Sequence, residues 1–511
     1  MVAGRQGLGS EGGLSVARAG ASPHDAATKL AALALWLAAT AGLRPLLVPD
    51  EGRYAGVARE MLRGDGLVPT LDGLPYFHKP PLFYWLDMAA MHVVGVGEFA
   101  ARFGSLVGAW LLGAALYLFV RRSHGVATAS RTLLVLATCP FYFLAAQYAN
   151  HDMLVAGLIT LAVLLFVRGA DAEPRERLRW CAAAWAACGL ALLSKGLIGV
   201  VLPALVVGPW LLVQGRWRQV LGLLHPLGLA AGALVALPWM LAMQARYPGF
   251  FDYFIVEQHF RRYAQSTFNN PRPFWFLIAA LPLLTLPWSA WLAAGARRLV
   301  SAPPPLAGLL AWWIVAIVGF FSIPTSKLVG YVLPALAPWC VLVAFATEVR
   351  PSRPAVRHAV TAVAALICTG VALGVAWRPP NGHREAGLVL GGRMAAGDTV
   401  AMVDEFFMDV PFYARLAEPA ILVGDWDDPE IPRHDNWRKE MLDAARFDPA
   451  TAARVLWPTA RAAELACGSS GHVWFVIAPH AAKRLPAVPG LAPVWADQRI
   501  ELWRAPRHPC P

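Results

Sequence analysis

The sequence predicts an α-helical, multi-spanning membrane protein that carries a small α/β domain outside the bilayer at its C-terminal end. Three observations predict this. The 511 residues are 57% hydrophobic and only 15% charged, whereas a soluble globular chain is about a quarter charged. Apolar runs of about 17–25 residues, the length that spans a bilayer as a helix, recur along the chain. The arginines between those runs fall in alternate loops, as topology signals do.

Residues 1–29 are rich in Gly, Ala and Ser. They read as a disordered cytoplasmic segment, too polar for a signal peptide. The first apolar run, about 30–48, lacks a cleavage site and reads as a retained anchor. Ten more spans follow at about 98–120, 130–148, 152–168, 180–194, 196–213, 220–243, 273–296, 305–323, 328–348 and 356–377, with up to thirteen in all allowed. Arg121, Arg122 and Arg131 share one loop; Arg168, Arg175, Arg177 and Arg179 share another; Arg216 with Arg218, Arg297 with Arg298, and Arg350 with Arg353 and Arg357 fill three more. The positive-inside rule makes that side cytoplasmic. The N-terminus then lies inside, residues 30–377 form the membrane region, and 378–511 form the outer α/β domain. The net charge of +11 suits loops that face anionic lipid, and no nucleic-acid module is visible.

The opposite side holds two polar loops, 49–97 and 244–272. In the first, Tyr54, Val57, Ala58, Met61 and Leu62 share a helical face, while Arg53, Arg59, Glu60 and Arg63 lie elsewhere. This predicts a helix in the interface plane. Gly64 to Pro75 is turn-rich, and Pro81 to Gly95 reads as a second interfacial helix. Beyond residue 378, strand-like runs at Thr399–Val403, Ala420–Val423, Val473–Ile477 and Ile500–Trp503 alternate with helical ones.

Only six of the 44 basic residues are lysine. Lys79, Lys195 and Lys327 fall in three different loops on the outer side, against the positive-inside bias. Snorkelling at helix ends explains any one of them. Three together, with Arg53, Arg261, Arg262 and Arg272 on the same side, favour an anion held at the outer membrane surface, and a lipid-linked phosphate suits that depth. Asp50, after a proline and before the interfacial helix, reads either as an N-cap or as a general base beside a bound anion; Glu51 competes for either role. Asp152, at the start of the fourth span, poses the same choice. His78 and His259 share the outer side and, with Glu257 near, suggest a zinc site or ordinary hydrogen-bonded histidines. Cys467 and Cys510 share the oxidising side and invite a disulfide.

The segment PDEGRYAGVAREMLRGDG…LPYFHKPPLFYW resembles the first extracytoplasmic loop of the bacterial aminoarabinose transferases, relatives of the protein O-mannosyltransferases. The resemblance continues through NHDML at 150–154, LSKG at 193–196, VEQHFRRY at 256–263, PWS at 287–289 and SKLVGYVLP at 326–334. It implies an inverting transfer of a sugar from polyprenyl phosphate to an acceptor at the outer face of the bacterial inner membrane, by a monomer. The acceptor it implies is lipid A or another glycolipid; protein Ser/Thr is the alternative. A flippase for the lipid-linked sugar ranks last, because no internal repeat is visible. Residue by residue, the resemblance makes Asp50 the base or acceptor positioner and Asp152 a further functional acid. It makes Arg53 and Lys79 phosphate contacts, Lys327 and Tyr331 the late lysine–tyrosine pair near that phosphate, and His259 a residue associated with zinc. At 78 the family usually has Glu where this chain has His. No cofactor is required by this reading, and zinc is the one metal it raises.

Overall fold

The computed structural model describes residues 23–261 and 270–507. Arg262 and Cys510 lie outside the described residues, and with them the expected disulfide. Helix covers part or all of each expected span. Among the described residues, five helices are long and apolar enough to cross a membrane: Ala100–Ala137, His151–Asp171, Pro226–Arg246, Val329–Val349 and Pro354–Trp377. A sixth candidate, Phe276–Leu284 with Ser289–Ser301, is bent by 107°. The apolar helices Ile198–Val213 and Ala307–Ser322 have 16 residues each, about 24 Å at 1.5 Å per residue, which is short of a hydrocarbon core of about 30 Å. Helix Pro174–Lys195 starts with a charged turn, which lowers its apolar share.

The first three expected spans depart from the sequence reading. The first helix is Pro23–Ala38 rather than 30–48; Gly42, Pro45 and Pro49 follow it, and the chain runs through turns to Asp50. The expected 98–120 and 130–148 spans merge into one helical run broken at Gly125, whose φ of 83° no helical residue adopts. A short helix, Pro140–Ala146, then completes the second of them.

Helices Phe103–Ala137 and His151–Asp171 meet at Gly108 and Gly157, where any Cβ would overlap the facing backbone. Small residues at the crossing suit a bilayer, in which close packing has to substitute for a hydrophobic drive. Helix Pro354–Trp377 exposes Val363, Leu366, Ile367 and Leu373, as a lipid-facing surface does.

In the first polar loop, helix Asp50–Arg63 forms where the apolar face predicts it. The strands β1 (Thr70–Leu71) and β2 (Leu74–Pro75) then make a small hairpin. The C-terminal region contains β3 (Thr399–Val403), β4 (Ile421–Gly424), β5 (Leu456–Pro458), β6 (Val473–Ile477), β7 (Ala492–Ala496) and β8 (Glu501–Ala505) in a six-stranded sheet of order β5-β4-β3-β6-β8-β7. The first four are parallel, and β8 and β7 add an antiparallel edge. All five residues of β6 are buried, so its run is uniformly apolar, as expected of a strand covered on both faces.

The sheet region packs onto helix Asp50–Arg63 from the side opposite the membrane helices. Glu51, Gly52, Gly56 and Arg59 are buried along with the expected apolar face. Arg59 and Arg63 both donate to the Leu416 carbonyl, Asp72 Oδ1 accepts the Ala420 N–H at 2.8 Å, and Asn381 Nδ2 donates to the Val48 carbonyl at 2.7 Å. The helix is thus covered on two sides, with Arg59 and Arg63 each donating to a carbonyl of the sheet region.

Candidate functional site

A cavity of about 950 Å³ opens between the two polar loops, the ends of the membrane helices and the sheet region. Its size lies at the upper end for small-molecule sites.

Asp50 is the first residue of its helix, after Pro49 at the N-cap, and lines the cavity. Its Oδ1 accepts from Arg53 Nη2 at 2.8 Å. The other end of that guanidinium donates to Glu440, which comes from helix Trp437–Ala445 of the sheet region. Burial by itself would lower the Arg53 pKa, but Glu440, Tyr76, Tyr54 and Asp50 around it push it well up. Arg53 is therefore a permanent cation. The same burial, with Glu440 beside it, raises the Tyr76 phenol, which stays neutral.

Asp152 is likewise not a cap. Asn150 holds that position, its Oδ1 accepting the Asp152 N–H at 2.9 Å. The Asp152 carboxylate instead forms an ion pair with Lys195. Lys195 Nζ also sits 5.2 Å from the centre of the Tyr331 ring, within cation–π range, and Tyr331 packs on Phe321 at 4.9 Å. Four residues from three distant segments thus converge, and Lys195, the lysine with the least polar sequence neighbourhood, sits at their centre. Lys79 lines the same cavity, its Nζ 3.1 Å from the His78 carbonyl. His78 stacks on Tyr76 at 4.9 Å with the rings 10° from parallel.

Three expected site residues are placed elsewhere. The Glu51 carboxylate is fully buried and accepts from Arg44, Arg102 and the backbone N–H groups of Leu47 and Ala149. Burial alone would raise its pKa, but Arg102 and Arg44 hold it below the ordinary carboxylate range. Lys327 is buried, with Nζ donating to the carbonyls of Arg272 at 2.9 Å and Pro324 at 2.5 Å. It ties together two segments that also pair through the Pro271–Ser326 bridge. Arg261 is exposed and pairs with Glu257 at 3.5 Å.

The zinc expectation does not fit the residues. His259 Nδ1 donates to the Phe254 carbonyl at 2.5 Å, and Nε2 accepts the Leu197 N–H at 3.2 Å. A metal ligand needs one ring nitrogen with its lone pair unspent, and both are committed to backbone. No group of three His, Cys, Asp or Glu suited to a metal occurs among the described residues. His259 instead braces Gly196, whose φ is 83° and whose Cβ position the imidazole fills. Gly196→Ala is expected to lower stability by about 1–3 kcal/mol, the cost of a non-glycine residue in that backbone region. Thermal unfolding in detergent measures it, and an unchanged midpoint would show that the Lys195 turn tolerates a side chain.

The sheet-region wall escaped the sequence reading. Asp404, Glu405 and Phe406 follow directly on the C-terminal end of β3, and Asn436, Trp437 and Glu440 follow β4; all line the cavity. Ligands of parallel sheets bind beyond the carboxyl ends of the strands. The acidic and aromatic run DEFF after the predicted strand 399–403 was the available signal.

The sequence model of the dolichyl-phosphate-mannose-protein mannosyltransferase family matches residues 39–254. An undecaprenyl phosphate-α-4-amino-4-deoxy-L-arabinose arabinosyl transferase of Enterobacter sp. (strain 638) is 33% identical over 308 residues, 59% of this chain and 55% of the relative. The enzyme of the same name from Pseudomonas paraeruginosa is 35% identical over 307 residues, with the same two coverages. The matched stretch spans about half the length of these curated relatives. The crystal structure of ArnT from Cupriavidus metallidurans bound to undecaprenyl phosphate superposes with a TM-score of 0.80 over 95% of this chain and 98% of that one, at 23% identity, which is a likeness of fold. Family match, sequence similarity and fold thus agree in likening this multi-pass membrane protein to the aminoarabinose transferases and the protein mannosyltransferases.

Proposed function

We propose that the chain is an inverting glycosyltransferase that moves a sugar from undecaprenyl phosphate to lipid A or another envelope glycolipid, at the outer face of the bacterial inner membrane. One observation carries the reading: a single cavity holds three cations, Arg53, Lys79 and Lys195, with Asp50 and Asp152 beside them and Asp404, Glu405, Asp435 and Glu440 on its sheet-region wall. The names of the curated relatives support the donor. The alternation of arginine loops supports a cytoplasmic N-terminus and an outer C-terminal region.

The chemistry follows from the residues. The bond between sugar C1 and the phosphate oxygen breaks, its electron pair leaves with the polyprenyl phosphate, and the acceptor oxygen forms the new bond to C1 from the opposite face. Lys79 and Arg53 stabilise the charge that the leaving phosphate gains, which is worth most in a water-poor cleft. Asp50 takes the acceptor proton where the acceptor is a hydroxyl. Asp152 and Tyr331 hold Lys195 toward the phosphate.

The lysines divide the prediction. Lys79→Ala is expected to weaken undecaprenyl phosphate binding by about tenfold, the equivalent of one charge-assisted hydrogen bond of about 1.5 kcal/mol. Lys327→Ala is expected to leave affinity within about threefold while lowering the thermal midpoint, because its Nζ is held by backbone carbonyls. Titration of labelled undecaprenyl phosphate into purified protein reads both. Equal loss of affinity in the two variants would return Lys327 to the phosphate site, and no loss in Lys79→Ala would remove Lys79 from it.

A further inference from the structure

We propose that Glu440 is a positioning residue for sugar transfer, acting through Arg53, so that the C-terminal sheet region completes the active site; this rests on the transferase reading above. Glu440 and Arg53 are 387 residues apart in sequence, yet their side chains are only 10% and 11% exposed and meet as an ion pair at the cavity wall. Arg53 Nη1 points to Glu440 and Nη2 to Asp50. The guanidinium is a planar fork of fixed geometry, and a carboxylate at each terminal nitrogen fixes both its direction and its plane.

The element that presents Glu440 is itself locked. Asn436 caps the helix by accepting from the N–H groups of Arg438 at 3.0 Å and Lys439 at 3.2 Å. Asp443, one turn on, takes Lys439 at 2.5 Å and Arg446 at 3.0 Å. Phe447 then packs edge-on against Phe77 of the first polar loop at 5.0 Å and against Tyr253 of the second at 5.5 Å. The helix therefore bridges both loops and holds the Glu440 carboxylate in register with Asp50.

The consequence concerns turnover more than binding. Without the Glu440 charge, Asp50, three residues earlier on its own helix, is the carboxylate that remains on Arg53, beside the Tyr76 and Tyr54 side chains, and the guanidinium closes on it in the bidentate manner arginine prefers. That closure draws the Asp50 carboxylate away from the acceptor and turns the guanidinium from the leaving phosphate. A tie that serves stability alone would instead lower the thermal midpoint and leave the surviving folded enzyme with normal kcat.

The test uses the full chain in liposomes, with undecaprenyl phosphate-linked 4-amino-4-deoxy-L-arabinose as donor and lipid A as acceptor. Glu440→Gln is expected to lower kcat by about tenfold or more, as small misplacements of catalytic groups do. KM for the donor and Kd for undecaprenyl phosphate are expected to stay within about threefold of wild type, a spread below 1 kcal/mol. Glu440→Asp is expected to restore part of kcat. The pair Arg53→Lys with Glu440→Gln is expected to be no slower than Arg53→Lys alone, the sign of two residues acting as one. Wild-type kcat in Glu440→Gln, or losses that multiply in the double variant, would overturn the positioning role alone. An inactive wild type would overturn the transferase reading, and the proposal with it.

Discussion

Asp50→Asn is expected to yield a chain that folds, inserts and binds undecaprenyl phosphate yet no longer transfers sugar, with turnover down by about 10²–10⁴-fold, the range for loss of a positioned acid or base. The substitution keeps the size of the side chain and one oxygen that can accept from Arg53, and removes its charge and its ability to take a proton. Two features of the site sharpen the expectation. Pro49 rather than Asp50 holds the N-cap position, so the asparagine costs the helix little. Its side chain is 30% exposed and lines the cavity, where Arg53 holds one oxygen, so the carboxylate faces whatever enters. Turnover in reconstituted vesicles and undecaprenyl phosphate titration separate the two effects. Wild-type turnover in the variant would remove Asp50 from the chemistry, and loss of lipid binding along with turnover would make it a binding residue.

The adjacent residue is expected to behave in the opposite way. Glu51→Ala should cost about 3–5 kcal/mol of stability, because it leaves two buried guanidinium groups without their counter-ion. Arg44 and Arg102 converge on this carboxylate, and the Arg102 and Glu51 side chains are wholly buried. The same cluster joins three segments: the chain after the first helix, the first polar loop and the start of the long helix that begins near Ala100. Failure to accumulate, or a thermal midpoint far below wild type, is the expected readout. A variant with a normal midpoint and no turnover would return Glu51 to the active site. The pH dependence has a definite sign. Because the folded-state pKa of Glu51 is lowered, its contribution is present above the unfolded value of about 4.3 and is lost as the pH falls through the folded value. Glu51→Gln should therefore flatten the loss of stability in acid.

The contrast between Asp50 and Glu51 shows what one-dimensional reading can resolve. The two acids are neighbours on the first turn of one helix, about 100° apart around its axis at 3.6 residues per turn. The sequence marks both as charges near a membrane boundary and has no means of ranking them. Rotation about the helix decides: one carboxylate faces the cavity and the other faces Arg44 and Arg102. Lys195 and Lys327 were separated in the same manner. Both precede apolar segments in loops on one side, but Lys195 meets Asp152 and Tyr331, whereas Lys327 is enclosed among carbonyls of its own loop and its partner strand.

Hydropathy was sufficient for the membrane class and for the approximate positions of most helices. That property is additive along the chain and is set by transfer of each segment between water and lipid. The strands at 399–403 and 473–477 were legible for a related reason, since short apolar runs between turn signals leave few alternatives. The partners of Arg53 were not legible. Glu440 lies 387 residues away, and its helix carries no motif that announces a cavity. Its approach depends on the sheet region docking over helix Asp50–Arg63, through arginines that reach the Leu416 carbonyl and an aspartate that reaches Ala420. Such contacts are pairwise and geometric, so they exist only once the whole chain has closed around them.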